Sequence, residues 1–176
     1  AEMIRAELTK LGLPFMAAQT GTIVDLPVDG KMENAILLRA DIDALPITEC
    51  TGLPYASVNK GVMHACGHDI HTTVLLGAAK IFKAMESELK GAVKLFFQPA
   101  EEIFEGSKDM IASGVLENPR PDAALMIHVA AGMPLPAGTV VVSAPGVSAP
   151  AADYFTIRVH GKGCHGSAPQ NGIDPL

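Results

Sequence analysis

Residues 64–71, with the sequence HACGHDIH, constrain this chain more than any other segment. They place three imidazoles, one thiol and one carboxylate close together, and they include half of the six histidines of the chain. Burying such a cluster without partners is costly, whereas a bound divalent cation would make its burial favourable. The segment therefore predicts a metal site.

Apolar runs and chain breaks predict that strands and helices alternate along the chain. Residues 35–40 and 92–97 are nearly continuous apolar runs, which suit strands covered on both faces. The full set comprises strands at 22–26, 35–40, 92–97 and 122–127 and helices at 70–89 and 107–115. This order is typical of a parallel sheet with right-handed crossovers. We expect an α/β fold, with a mostly parallel sheet and helices on both faces.

The long helix at residues 70–89 carries apolar residues at helical spacing, and these predict its buried face. They are Ile70, Val74, Ala78, Ile81, Phe82, Met85 and Leu89.

The pattern changes after Gly138. Residues 139–143 are β-like, and a stretch of small residues and prolines follows at 144–150. Residues 154–160 then alternate between apolar and polar, which indicates a strand with one wet face in an antiparallel sheet. We therefore predict one domain at 1–146 and the beginning of a smaller α+β domain at 147–176.

Composition excludes several classes of partner. The chain has 13 Lys and Arg against 19 Asp and Glu, a net charge of −6, and no basic stripe for nucleic acid. No apolar run approaches the ~20 residues that span a bilayer, so we expect no membrane partner. The three cysteines are an odd and sparse set, which favours a reducing, cytoplasmic location over a disulfide framework. Both ends of the sequence look cut, and we expect a fragment of a longer protein.

Ionisable side chains follow three of the predicted strands at the point where each strand ends. In open α/β sheets, ligands bind beyond the carboxyl ends of the strands, so these side chains should lie together. They are Asp41 and Asp43, Glu101 and Glu102, and His128.

Cys66 and His68 join this group from the start of the long helix. The positive end of the helix dipole should lower the pKa of Cys66 and favour its thiolate. A mixed set of Cys, His and Glu ligands suits Zn²⁺, with other first-row ions as alternatives. The donors outnumber one tetrahedral site, which favours two ions that share a bridging ligand ~3.5–4 Å apart.

The adjacent glutamates suggest that one ligates metal while the other stays free as a general base. The residues alone leave open whether Glu101 or Glu102 is the base. A thiol hydrolase, with Cys66 as nucleophile and His68 or His64 as base, is a rival hypothesis. A non-catalytic metal-binding module is a third.

Four motifs carry a resemblance to a known family. They occur in order as LRADIDALP at 38–46, MHACGHDIH at 63–71, QPAEE at 98–102 and GKGCHG at 161–166. The chain resembles the N-acyl-amino-acid amidohydrolases of the aminoacylase, hippurate hydrolase and auxin-conjugate hydrolase type, over roughly the first half of a typical member. The resemblance implies hydrolysis of N-acyl amino acids to a carboxylic acid and a free amino acid. Dipeptidase or carboxypeptidase activity is the close alternative.

The resemblance also implies a dinuclear catalytic domain, with two divalent ions that could be Zn, Mn, Co or Ni. Its implied metal ligands are Cys66, His68, Glu102 and His128. It assigns Glu101 as the base, and it implies a homodimer formed through the lid domain.

Three further positions are implied to support the site. Asp43 matches a carboxylate that orients a ligand, and Asp41 stands where peptidase relatives have a ligating histidine. His165 matches a lid histidine that stabilises the developing oxyanion, often in the site of the partner subunit.

The chain departs from the family pattern at two positions. Cys164 replaces the usual second glycine before the lid histidine, and Gln170 stands where many members have a second histidine. The last metal ligand of the family is expected beyond Leu176, so we expect the isolated fragment to be inactive.

Overall fold

A five-stranded mixed sheet is the centre of the computed structural model, which describes residues 1–28, 30, 31, 33–149 and 151–176. The strands are β1 Met16–Ala18, β2 Gly21–Leu26, β3 Ile36–Asp41, β4 Val93–Gln98 and β5 Ala123–Met126. Their spatial order is β1-β2-β4-β3-β5. Strand β3 is parallel to both β4 and β5, while β2 pairs antiparallel with β4 and with β1. The predicted α/β fold is confirmed, with an antiparallel edge that the sequence did not indicate.

Three α-helices in the described residues cover the two faces of this sheet. They are α1 Glu2–Lys10, α2 His68–Ala84 and α3 Gly106–Ala112, and short 3-10 turns form at Glu86–Glu88 and Pro169–Asn171. Successive side chains of β4 point to opposite faces of the sheet, so they contribute to two separate core clusters. Leu95 and Phe97 pack with α1 and α2, while Phe96 packs beside α3. Helices on both faces are therefore observed, as the order of elements predicts.

The buried face of α2 is not the predicted one. Ile70, Val74 and Ile81 are 48%, 46% and 59% exposed, so the predicted apolar stripe is wrong at these positions. The buried residues are His68, His71, Leu75 and Ala79. His68 and His71 lie on this face because the Asp43 carbonyl oxygen binds His68 and the Asp41 carboxylate binds His71. This histidine pair, and not the aliphatic stripe, therefore orients the helix.

Strand β5 forms an exposed edge of the sheet. All four of its residues are exposed, and Leu125 and Met126 are 57% and 53% exposed. Its hydrogen bonds run to β3, with Ile36 opposite Ala123 in the parallel register. Strand β5 is therefore held mainly by its backbone hydrogen bonds to β3, with little side-chain packing.

The chain divides into two compact units, Ala1–Met133 and Pro134–Leu176. Within the described part of the smaller unit, the structure has a 3-10 turn and an isolated bridge between Lys162 and Ile173, and residues 154–160 form no strand. The strand predicted at residues 154–160 is wrong, because alternation of apolar and polar residues does not form a strand without a neighbouring strand to pair with. Pro150 of the predicted linker lies outside the described residues, and the boundary at residue 146 stays a prediction. Among the described residues, the helices lack the length and the apolar content that a membrane span requires.

Candidate metal centre

The carboxyl ends of β3, β4 and β5 and the start of α2 meet in the larger unit. Each element delivers side chains suited to metal binding to this place. They are Asp41 at the end of β3 and Asp43 after it, Glu101 and Glu102 after β4, His128 after β5, and Cys66, His68 and His71 at the start of α2.

His68 lies at the centre of this group and is fully buried. Its Nδ1 lies 3.0 Å from the backbone carbonyl oxygen of Asp43 and donates to it, which leaves the lone pair of Nε2 facing the cluster. Nε2 lies 3.8 Å from oxygens of Asp41 and Glu102 and 3.9 Å from Glu101 Oε2. Imidazole rings that ligate metals are typically fixed in this way by a second partner.

Several buried polar atoms of the cluster lack a hydrogen bond within the described part of the chain. They are His68 Nε2, Glu102 Oε1 and Asp43 Oδ1. An unsatisfied buried donor or acceptor costs about 1–3 kcal/mol, so this group requires an explanation. Asp43 Oδ1 lies 3.3 Å from Nδ1 of His68, the ring nitrogen that carries the proton. The Nε2 lone pair of His68 and Glu102 Oε1 lie 3.8 Å apart, and two such unpartnered atoms fit a divalent cation.

Cys66 and His128 form the other side of the group. Cys66 Sγ lies 3.5 Å from His128 Nε2. The Nδ1 of His128 donates to the carbonyl oxygen of Val129 at 2.6 Å, so Nε2 presents its lone pair towards the thiol. One donor atom each of Cys66, His68 and His128 lies within 4.8 Å of the other two, and the same holds for His68, Glu101 and Glu102.

The pKa of Cys66 moves in the opposite direction to the prediction. Burial raises it, and the neighbouring carboxylates of Glu102, Glu101 and Asp41 raise it further. Helix α2 begins only at His68, and its positive end does not outweigh three acidic neighbours. This surplus of negative charge is what a bound cation would neutralise, which supports the metal interpretation.

Asp41 is buried, and its oxygens are engaged by protein groups. Arg39 Nη1 lies 2.9 Å from Oδ2, and His71 Nδ1 lies 2.5 Å from Oδ1. Burial acts to raise the pKa of Asp41, but the hydrogen bond from His71 and the positive charge of Arg39 hold it below its ordinary value. Asp41 is thus a buried anion paired with the Arg39 guanidinium and with the His71 N–H.

Sequence reasoning placed His71 in the histidine-rich segment without giving it a role, and it missed Arg39. Both ring nitrogens of His71 have protein partners, because Nδ1 bonds Asp41 and Nε2 accepts the Val129 N–H at 2.9 Å. Arg39 donates from Nε to Gln98 Oε1 at 3.0 Å, which joins β3 to β4 beside the site. The available signal was spacing, since His71 follows His68 by three residues and so shares its helix face.

Two glycines allow the backbone to approach closely at this site. Gly67 has φ +83°, and a Cβ there would lie 2.4 Å from Val129 Cγ2. This conformation lets Cys66 and His68, on either side of it, both point into the cluster. A Cβ at Gly106 would lie 1.5 Å from the carbonyl oxygen of Pro99, so only glycine lets α3 begin against the loop of residues 99–102.

A cavity of about 670 Å³ adjoins Cys66 and His128. Tyr55, Val62 and Ile70 are among its lining residues, together with small residues of the site loops. It offers room for a mostly apolar group beside the candidate metal ligands. His165 lies in the smaller unit, where its Nδ1 is 2.8 Å from Ser167 Oγ.

Comparisons with known proteins agree with this geometry. The N-acetyl-L-cysteine deacetylase of Bacillus subtilis (strain 168) is 47% identical over 161 residues, which are 91% of this chain and 37% of that protein. The hippurate hydrolase of Campylobacter jejuni is 40% identical over 178 residues, 100% of this chain and 45% of that protein. The chain thus spans less than half the length of these relatives.

A solved structure is also similar to this chain in fold and in sequence. The YXEP protein of Bacillus subtilis, described as a dinuclear metal binding peptidase from the M20 family, superposes with a TM-score of 0.67 and 40% identity. The match covers 72% of this chain and 36% of that one. Residues 37–169 match the model of the peptidase family M20/M25/M40, and the chain belongs to this family.

Proposed function

We propose that the whole protein is a metal-dependent amidohydrolase that cleaves N-acyl amino acids to a carboxylic acid and a free amino acid. The observation that carries the proposal is the buried Nε2 of His68, which has no hydrogen-bond partner among the described residues and lies close to donor groups of Cys66, Glu102 and His128. A carboxylate that is not needed as a ligand, that of Glu101, lies at the same place. Amide hydrolysis needs this combination of cation site and free base.

In this proposal Cys66, His68, Glu102 and His128 hold two divalent ions, of which Zn, Mn, Co and Ni are candidates. The two glutamates differ in a way that supports the assignment. Glu102 Oε1 is buried without a hydrogen-bond partner among the described residues, and the Glu102 N–H donates to Asp43 Oδ2 at 3.1 Å. The Glu101 side chain is more exposed, 34% against 25%, as a base that meets water and substrate should be.

Bound ions would supply the Lewis acidity that polarises the scissile carbonyl and acidifies the attacking water. Glu101 takes a proton from that water as its oxygen bonds to the carbonyl carbon. Glu101 then passes the proton to the amide nitrogen, and the C–N bond breaks to release the amine. His165 donates to the oxyanion, a contribution of about 3–4 kcal/mol for a well-aimed donor.

The substrate class is supported by the cavity and by the relatives. The cavity next to Cys66 can receive an apolar acyl group, and the similar proteins named above act on N-acetyl-L-cysteine and on hippurate. We also propose a homodimer formed through a lid domain that begins near residue 147. Cytoplasmic location is part of the proposal, because all three cysteines are free thiols in the structure.

The test is hydrolysis of a panel of N-acetyl and N-benzoyl amino acids, with a dipeptide for comparison. Glu101→Gln should lower kcat about 10²–10⁴-fold with unchanged metal content, because it removes only the base. Glu105→Gln is the matched control, since Glu105 is exposed and pairs with Lys108. Activity of Glu101→Gln near that of the control would exclude the assigned base, and preference for the dipeptide would favour a peptidase.

Inhibitors distinguish a thiol hydrolase from a metal-dependent hydrolase. A metal-dependent enzyme should lose activity in a chelator and regain it with added Zn²⁺ or Mn²⁺. A Cys66 nucleophile would instead be inactivated by iodoacetamide and would tolerate the chelator.

A further inference from the structure

We propose that His71 is a positioning residue of the metal centre, which holds the Val129 backbone and through it sets the position of His128. The inference rests on the proposed function only in taking His128 as a metal ligand. His71 itself supplies no free donor to an ion, because both of its ring nitrogens are occupied.

The two contacts of His71 fix the position of its proton. A backbone N–H can only donate, so the bond from Val129 N at 2.9 Å requires Nε2 to be the acceptor. The proton of the ring is then on Nδ1, which donates to Asp41 Oδ1 at 2.5 Å. His71 is 1% exposed, so water does not compete for either nitrogen.

Val129 connects His71 with His128. The carbonyl oxygen of Val129 accepts the Nδ1 proton of His128, which turns the Nε2 lone pair towards Cys66. The rings of His71 and His128 also meet edge to face, with centroids 4.6 Å apart. His71 therefore contacts both the backbone of Val129, whose carbonyl oxygen binds His128, and the ring of His128 itself.

His128 needs such support because the strand before it is weakly packed. Leu125 and Met126 are more than half exposed, and Ile127 is 45% exposed. His71, by contrast, is fixed to the interior of the sheet. Its partner Asp41 is held by Arg39 at 2.9 Å, and Arg39 is bonded to β4.

A pair of isosteric variants separates the two contacts of His71. In His71→Gln the side-chain oxygen can replace Nε2 and accept from Val129, while the bond to Asp41 is lost. In His71→Asn the side-chain NH₂ can replace Nδ1 and donate to Asp41, while the bond to Val129 is lost. A role in packing or stability alone would affect both variants, whereas positioning of His128 depends on the Val129 contact.

Co²⁺ titration of the chain, followed by visible spectroscopy, measures the effect without any substrate. His71→Asn should weaken Co²⁺ binding about 10–100-fold and shift the Co²⁺ bands towards those of His128→Ala. His71→Gln should stay within about 3-fold of the wild type, with its spectrum unchanged. The exposed His160 provides a control substitution, His160→Asn, that should change neither.

Equal losses in His71→Asn and His71→Gln, or a normal spectrum in His71→Asn, would overturn the positioning role. Normal Co²⁺ binding by a wild-type protein that cleaves no amide would instead overturn the proposed function alone. ¹⁵N NMR of the unmutated protein gives a test that no folding defect can obscure. It should show the His71 proton on Nδ1, and a proton on Nε2 would contradict the proposal.

Discussion

The two sides of the metal centre differ in how they are built. His68 lies on a buried helix face against β3, is fully buried, and is fixed by a carbonyl oxygen after the strand. His128 is exposed and follows β5, an edge strand whose four residues are all exposed. The buried side is organised by the core of the fold, whereas the exposed side depends on a few polar contacts. The two sides should therefore respond differently to substitution.

The largest difference in stability is expected between substitutions of two leucines, Leu95 and Leu125, which lie on either side of Leu38 in the sheet. Leu95 in β4 is fully buried, and Leu95→Ala should lower the free energy of unfolding by about 2–5 kcal/mol because it leaves a cavity. Leu125 in β5 is 57% exposed, and Leu125→Ala should cost less than about 1 kcal/mol. Urea unfolding of both variants measures this, and similar costs would remove the distinction between the two sides.

The loop that carries Glu101 and Glu102 belongs to the buried side and should not tolerate a Cβ at Gly106. Gly106→Ala should destabilise the protein by about 3 kcal/mol, because the added carbon meets a backbone oxygen that cannot move aside. Gly114→Ala is the control, since Gly114 has φ +84° but open space around its Cβ position. It should cost only about 1 kcal/mol. Thermal unfolding would contradict the clash if Gly106→Ala were as mild as this control.

The proposed ligands themselves give the next comparison. In protein stripped of metal by a chelator, His68→Ala should cost about 1–2 kcal/mol, through lost packing and the lost bond to Asp43. His128→Ala should change stability by less than about 0.5 kcal/mol, because the side chain is exposed. Both variants should nevertheless lose metal, which elemental analysis detects. Retention of full metal content by His128→Ala would exclude it from the ligand set.

The sequence predicts the parts of this structure that local pattern determines. Apolar runs placed β3, β4 and α2 within a few residues, because strand and helix periods are properties of the segment itself. The rule that ligands bind beyond the carboxyl ends of strands then identified Glu101 and His128 as neighbours of the histidine-rich segment.

Non-local contacts account for what the sequence does not show. Asp41 and Asp43 determine the buried face of α2, because they bind the imidazoles of His71 and His68. A prediction from the spacing of apolar residues leaves these histidines out. The pKa of Cys66 is raised first by burial and then by carboxylates far along the chain, and only the fold creates both conditions. The predicted strand at residues 154–160 lacks the pairing that would make it one.

The smallest expected effect is a dependence on pH, and it belongs to the buried side. The pKa of Asp41 lies below its ordinary value of 3.8 in the folded protein, so the unfolded chain takes up a proton there first as the pH falls. The ionised carboxylate therefore contributes stability in full above about pH 4, and the contribution is lost as pH falls through the folded pKa. Asp41→Asn cannot ionise, so it should be less stable than the wild type at pH 7, with a gap that narrows below pH 4. Urea unfolding of the metal-free proteins from pH 7 to pH 3 measures the gap. A gap that stayed constant with pH would mean that Asp41 acts through shape and hydrogen bonding, and that its charge does not stabilise the contacts with Arg39 and His71.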